Sequence, residues 1–193
     1  MDFNRVWRSF RLWTFRSPAK RADYLRRHKV FASMGEGCSF QCRKVPLYSN
    51  LIKFGDYVEM AGNVSFLTHD VSHKVLNRYK GSNTLRENAG CIEIGNNVYI
   101  GSKVAIYYNV KVGDNVIISP GSVVESDVPS NSLVGGDPAK VRSSLDMLYA
   151  IRSMKEPYPS GMKLRNGDSA TKEAAEYLWN VFDNKHKAAE QGK

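Results

Sequence analysis

The chain has 193 residues, a formal net charge of +9, and 42% hydrophobic and 24% charged residues. That length and apolar content suit one folded domain with extensions and exclude a disordered polyelectrolyte. Three cysteines (Cys38, Cys42 and Cys91) give no disulfide framework and predict a reducing compartment, and no apolar run is long enough to span a bilayer.

Residues 1–30 carry nine basic residues against two acidic ones, and this block favours polyanions. Phe3, Trp7, Phe10 and Trp13 recur at helical spacing between Arg5, Arg8 and Arg11. Those arginines interrupt the apolar residues and argue against a signal peptide. Ser17-Pro18 predicts the start of a second helix, with Ser as cap and Pro at the first helical position. Two roles suit this extension. It covers the open end of the domain that follows, or it lies on an anionic membrane surface.

From about Met34 a six-residue beat begins. Met34 and Phe40 are in step, Pro46 and Ile52 blur it, and Phe54, Met60 and Phe66 resume it. Residues 68–90 are polar, contain Gly81 and Gly90, and read as a loop thrown out from the repeat, where binding residues tend to collect. The beat then becomes strict: Ile94, Ile100, Ile106, Val112, Ile118 and Val124 lead. Each is followed four residues later by a small companion: Val98, Val104, Val110, Val116, Ser122 and Val128. A period of six fits neither an amphipathic helix nor a simple alternating strand. It fits short strands around a prism with the lead side chains stacked inside, a hexapeptide β-helix. Gly135-Gly136-Asp137-Pro138 stops the repeat. A helix is expected over 143–155, a linker over 156–170, and a last helix from Thr171 to about Ala189 with Ala175, Leu178, Trp179 and Phe182 on one face.

The run from Ile94 to Ser102, Val112-Gly-Asp-Asn-Val116, Pro120-Gly-Ser-Val-Val124 and the stretch Asp127 to Lys140 resemble the hexapeptide-repeat acyltransferases, nearest the sugar and polysaccharide O-acetyltransferases. The resemblance implies an all-β solenoid core, a left-handed parallel β-helix, over 31–142 with loop 68–90. The helical extensions, 1–30 and 143–193, lie outside it. It also implies a homotrimer with acetyl-CoA in the groove between neighbouring β-helices and a saccharide acceptor near the same cleft. The family's catalytic histidine matches His69, and an acid that orients it matches Glu87 or Asp70. An imidazole suits the chemistry, since a sugar hydroxyl needs its proton removed as it attacks a thioester. An adjacent side chain in extended chain points to the opposite face, which favours Glu87. His73 and Asn63 are acceptor candidates. On the donor side the resemblance carries over Tyr99, Ser102, Ser119, Pro120, Gly121, Lys140 and Arg142, the last two near the CoA phosphates. Pro120 departs from the family pattern and has no N–H, so one expected pantetheine hydrogen bond is missing.

The expected function is acetyl transfer to a sugar hydroxyl of a surface polysaccharide or its precursor, in the cytoplasm or at the inner face of the membrane. The rival readings are an amino-sugar or xenobiotic N-acetyltransferase, a γ-type carbonic anhydrase and a non-catalytic scaffold. The carbonic anhydrase needs three converging histidines, and only His69 and His73 lie in the right region. No nucleic-acid motif accompanies the basic ends, and no metal is expected.

Overall fold

The computed structural model describes residues 3–154 and 158–191, in two compact units, Met1–Ala150 and Ile151–Lys193. The first unit opens with helices α1 (Phe3–Thr14) and α2 (Pro18–Arg27), followed by a coil of short strands. Strands β1 (Ser33–Met34) and β2 (Ser39–Phe40) make a first turn. A second holds β3 (Ile52–Phe54), β4 (Glu59–Met60) and β5 (Ser65–Leu67). The chain then leaves the coil through β6 (His69–Asp70), α3 (His73–Lys80) and β7 (Asn88–Ala89). A third turn follows with β8 (Ile92–Ile94), β9 (Val98–Ile100) and β10 (Ala105–Tyr107), and a fourth with β11 (Val110–Val112), β12 (Val116–Ile118) and β13 (Val123–Val124). β14 (Ser132–Gly135) and β15 (Lys140–Ser144) end it.

The turns stack into three parallel faces, ordered β1-β3-β8-β11, β2-β4-β9-β12-β14 and β5-β10-β13. Phe54 pairs with Ile94, and Ile94 with Val112, so leads stack on leads. All six strict leads are at most 1% exposed, and their companions are buried too. Each buried aliphatic side chain contributes roughly 1.5–3 kcal/mol. Ile52, which blurred the beat, pairs with Ile92 and occupies a companion position. The bulkier early leads form an aromatic cluster in which Phe54 meets Phe31, Phe40 and Phe66 at 4.9, 5.0 and 5.5 Å.

Corners are as regular as faces. The Asn97 amide donates to the Asn115 side-chain oxygen at 2.8 Å, and the Asn115 amide to that of Asn131 at 2.9 Å. All three adopt left-handed backbone conformations, which asparagine tolerates. Beside them a Cβ at Gly95 would lie 2.5 Å from the Asp114 carboxylate and 2.7 Å from the Gly113 carbonyl oxygen. Only glycine lets the turns approach this closely.

The N-terminal extension caps the first turn. Leu12, Ala22 and Leu25 join the core, and buried Arg21 donates to the carbonyls of Phe40 at 2.8 Å and Phe15 at 2.6 Å. Ser17 caps α2 through the Lys20 N–H, as its sequence predicts. The other side of α1 is bare: Phe3, Trp7, Phe10 and Trp13 are each more than half exposed.

Two expectations change. Residues 68–90 are an antiparallel ribbon, β6 with β7, carrying the helix α3, rather than a bare loop. The helix expected from Ser143 is α4 (Leu145–Ser153), because Lys140–Ser144 pairs antiparallel with β14. Its expected end, Lys155, and linker residues 156 and 157 lie outside the described residues. In the second unit β16 (Arg165–Asn166) pairs with β17 (Ser169–Ala170), and α5 spans Lys172–Gln191. Among the described residues of this unit Ala174 is buried, and Leu178, Trp179 and Phe182 leave an apolar face exposed on the single chain. Among the described residues no helix is long and apolar enough to cross a membrane.

Candidate active site

The excursion is fastened at its neck. The Gly90 N–H donates to the Thr68 carbonyl at 3.0 Å, and the buried Thr68 hydroxyl donates to the Leu47 carbonyl at 3.0 Å. His69 follows at once, held in β6 opposite Ala89. Its Nε2 lies 3.9 Å from Glu87 Oε1, beyond a hydrogen bond but close enough for charge to matter. Its Nδ1 is buried without a hydrogen-bond partner, so the reactive edge of the ring is the Nε2 side. Tyr48 closes the group. Its ring stands edge-on to the imidazole at 4.9 Å, and its hydroxyl donates to Glu87 Oε1 at 3.3 Å. The charge of Glu87 pushes the Tyr48 phenol up.

Glu87 therefore faces the open nitrogen and does not orient the ring through the far one. Among the described residues it is the only carboxylate within 4.0 Å of a His69 ring nitrogen. Asp70 is turned away. It accepts from the Ser72 hydroxyl, from the Ser72 N–H at 2.8 Å and from the Tyr108 hydroxyl at 2.8 Å. The Asn88 amide in turn donates to the Tyr108 oxygen at 2.7 Å. These donors, led by the Ser72 hydroxyl, hold the Asp70 carboxyl down at about 2. Asp70 thus ties the two strands of the ribbon to the neighbouring turn, where Tyr108 sits.

The other candidates lie elsewhere. His73 opens α3 and, like His69, has a buried Nδ1 without a partner. Asn63 is at the far end of β5, roughly 20 Å along an extended chain from His69. It stands in one corner column with two donor candidates: Lys103 N–H donates to the Gly62 carbonyl at 3.1 Å, and Gly121 N–H to the Ser102 carbonyl at 2.8 Å. Tyr99 projects outward from the second face between Glu59 and Ile117. Ser119 N–H donates to the Val134 carbonyl, so the amides on both sides of Pro120 are used inside the solenoid. Pro120 itself rests on Gly101, where a Cβ would meet its nitrogen at 2.5 Å. Lys140 is exposed at the start of β15, and Arg142 Nε donates to the Gly135 carbonyl at 3.0 Å. Both are on a strand.

Sequence reasoning missed Tyr48, Tyr108 and Asn88. Asn88 directly follows Glu87, which is the one local hint; the two tyrosines reach the site only through stacking of turns. Among the described residues no three His, Cys, Asp or Glu side chains are grouped so as to hold a metal ion.

Residues 91–126 match the family model for the bacterial transferase hexapeptide (six repeats). The chain is 40% identical over 96 residues to the galactoside O-acetyltransferase of Escherichia coli (strain K12), covering 47% of this chain and 42% of that enzyme. The chain thus spans less than half the length of that relative. Among solved structures, a maltose O-acetyltransferase from Clostridium difficile 630 superposes with a TM-score of 0.53 at 24% identity, over 73% of this chain and 84% of that one. A hexapeptide-repeat containing acetyltransferase from Vibrio cholerae gives 0.50 at 23%, over 74% and 89%.

Proposed function

Because the chain is a hexapeptide-repeat protein with the left-handed parallel β-helix fold, we propose that it is an acetyl-CoA-dependent O-acetyltransferase acting on a sugar hydroxyl. The observation that carries this reading is the pairing of His69 Nε2 with Glu87 at the neck of the excursion. His69 takes the proton of the acceptor hydroxyl as its oxygen attacks the thioester carbonyl. Glu87 stabilises the imidazolium that forms. The tetrahedral intermediate expels the CoA thiolate, which recovers the proton from Nε2, and no acyl-enzyme is needed. His69→Ala should lower transfer by about 10²–10⁴ and leave acetyl-CoA binding, read by calorimetry, intact. An unchanged rate would sink the assignment.

Tyr99, Ser102 and Gly121 are placed by the second face and its corner column, whereas His69 sits at the neck of the excursion, and in our reading a second copy supplies the donor strip. This supports a homotrimer with its sites between protomers. Tyr99, Ser102 and Gly121 line the donor strip, with Lys140 and Arg142 toward the CoA phosphates.

The acceptor belongs to a surface polysaccharide or its precursor, and the enzyme works in the cytoplasm against the membrane. The aromatic face of α1, flanked by Arg5, Arg8 and Arg11, has the composition of a helix that lies in an anionic interface. Flotation with vesicles rich in phosphatidylglycerol tests this. Full-length protein should rise with them, and a Trp7→Ala/Phe10→Ala variant should not.

A further inference from the structure

Glu87 also lines an open concavity of about 770 Å³ formed by the excursion. The concavity runs between α3 and the returning chain, and Lys74, Arg78 and Arg86 line it. Lys74 and Arg78 are one turn apart on α3 and Arg86 is on the return segment, so two stretches of chain converge on one space. All three are exposed, and among the described residues no carboxylate lies within 4.0 Å of their charged groups. The cradle is stiff. Buried Asn77 donates to the Leu85 carbonyl at 2.9 Å and accepts from the Leu85 N–H at 3.1 Å and from the Ser82 hydroxyl at 3.3 Å. His73, with its unpartnered Nδ1, lines the same space.

Cations that share one concavity on a braced backbone and are left without counter-charges suit an anionic ligand. The geometry points to an acceptor that is itself an anionic saccharide. Its phosphate or carboxylate sits among Lys74, Arg78 and Arg86, and its reactive hydroxyl reaches past Glu87 to His69. This inference rests on the acetyltransferase reading for the saccharide, and on the concavity alone for the charge.

The test is a calorimetric titration of the full-length protein, without donor, using galactose, galactose 6-phosphate, galacturonate and inorganic phosphate. One or both charged sugars should bind at least about tenfold more tightly than galactose, a gap of about 1.4 kcal/mol. The two charged sugars separate phosphate from carboxylate as the source of charge. The preference should vanish in a Lys74→Gln/Arg78→Gln/Arg86→Gln variant and weaken with added salt. Equal binding of charged and neutral sugars, no binding of either charged sugar at millimolar concentration, a preference that survives in the variant, or phosphate binding as tightly as the phosphosugar would each overturn it. Acetyl transfer to the same sugars is measured separately. Charged sugars that bind but are never acetylated would refute the acetyltransferase reading and leave the anion site standing.

Discussion

At the scale of single residues, three side chains make the candidate centre, and each has a separable role. Tyr48 touches the ring and the carboxylate, so it positions both. Tyr48→Phe keeps the edge-on ring contact and removes the hydroxyl bond to Glu87. It should lower kcat several-fold and shift the pH profile of kcat/KM, whereas Tyr48→Ala should cost more; identical losses would argue for packing alone. Asp70 has a different signature. Its carboxyl titrates at about 2 in the folded chain and near 3.9 unfolded. A depressed folded value means that its stabilisation is complete above pH of about 4 and is lost as pH falls through about 2. The Tm gap between the native chain and Asp70→Asn should therefore be wide at pH 6 and close toward pH 2. A gap that ignores pH would refute the network. His69 and Glu87 were legible because the polar break in the six-beat pointed at the excursion and the family pattern at its two ends. Tyr48 was not: it has a left-handed backbone in the stretch where the beat is blurred, and meets His69 only across the stacked turns.

At the scale of elements, the repeat was readable because each hexad repeats one physical demand. A lead must fill the prism, a companion must fit beneath the corner, and a turn residue must accept a left-handed backbone or a close neighbour. Gly95→Ala breaks the last demand and should destabilise by about 1–3 kcal/mol. Gly62→Ala, whose Cβ would meet only Gln41 Oε1 at 4.0 Å, should stay within about 0.5 kcal/mol of the native chain. Equal denaturant midpoints for the two variants would contradict the packing described. Helix α3 and strand β15 escaped the sequence for opposite reasons. α3 has only eight residues, and its apolar stripe of Val75, Leu76 and Tyr79 is short, exposed and set in a polar stretch. β15 is exposed along most of its length, and its extended form is set by pairing with β14, a contact that no local pattern encodes.

At the scale of the whole molecule, the proposed division of labour between copies can be tested by mixing. His69→Ala chains and Ser102→Trp chains, each inactive alone, should regain partial activity when unfolded and refolded together, since some mixed sites then carry both intact halves. Recovery no greater than the sum of the separate preparations would refute a site shared between protomers. The ends of the solenoid carry a further consequence. A stack of parallel strands is a template, and a bare last turn invites the first turn of another chain to continue it without limit. β15 runs against β14 and reverses the strand direction there, while α2 and the buried Arg21 cover the opposite end. The strap and the lid thus decide that the molecule stays finite. Cut to residues 31–139, which bares both ends, the same core should seed fibrils that bind thioflavin and sediment, where the intact chain remains a discrete particle.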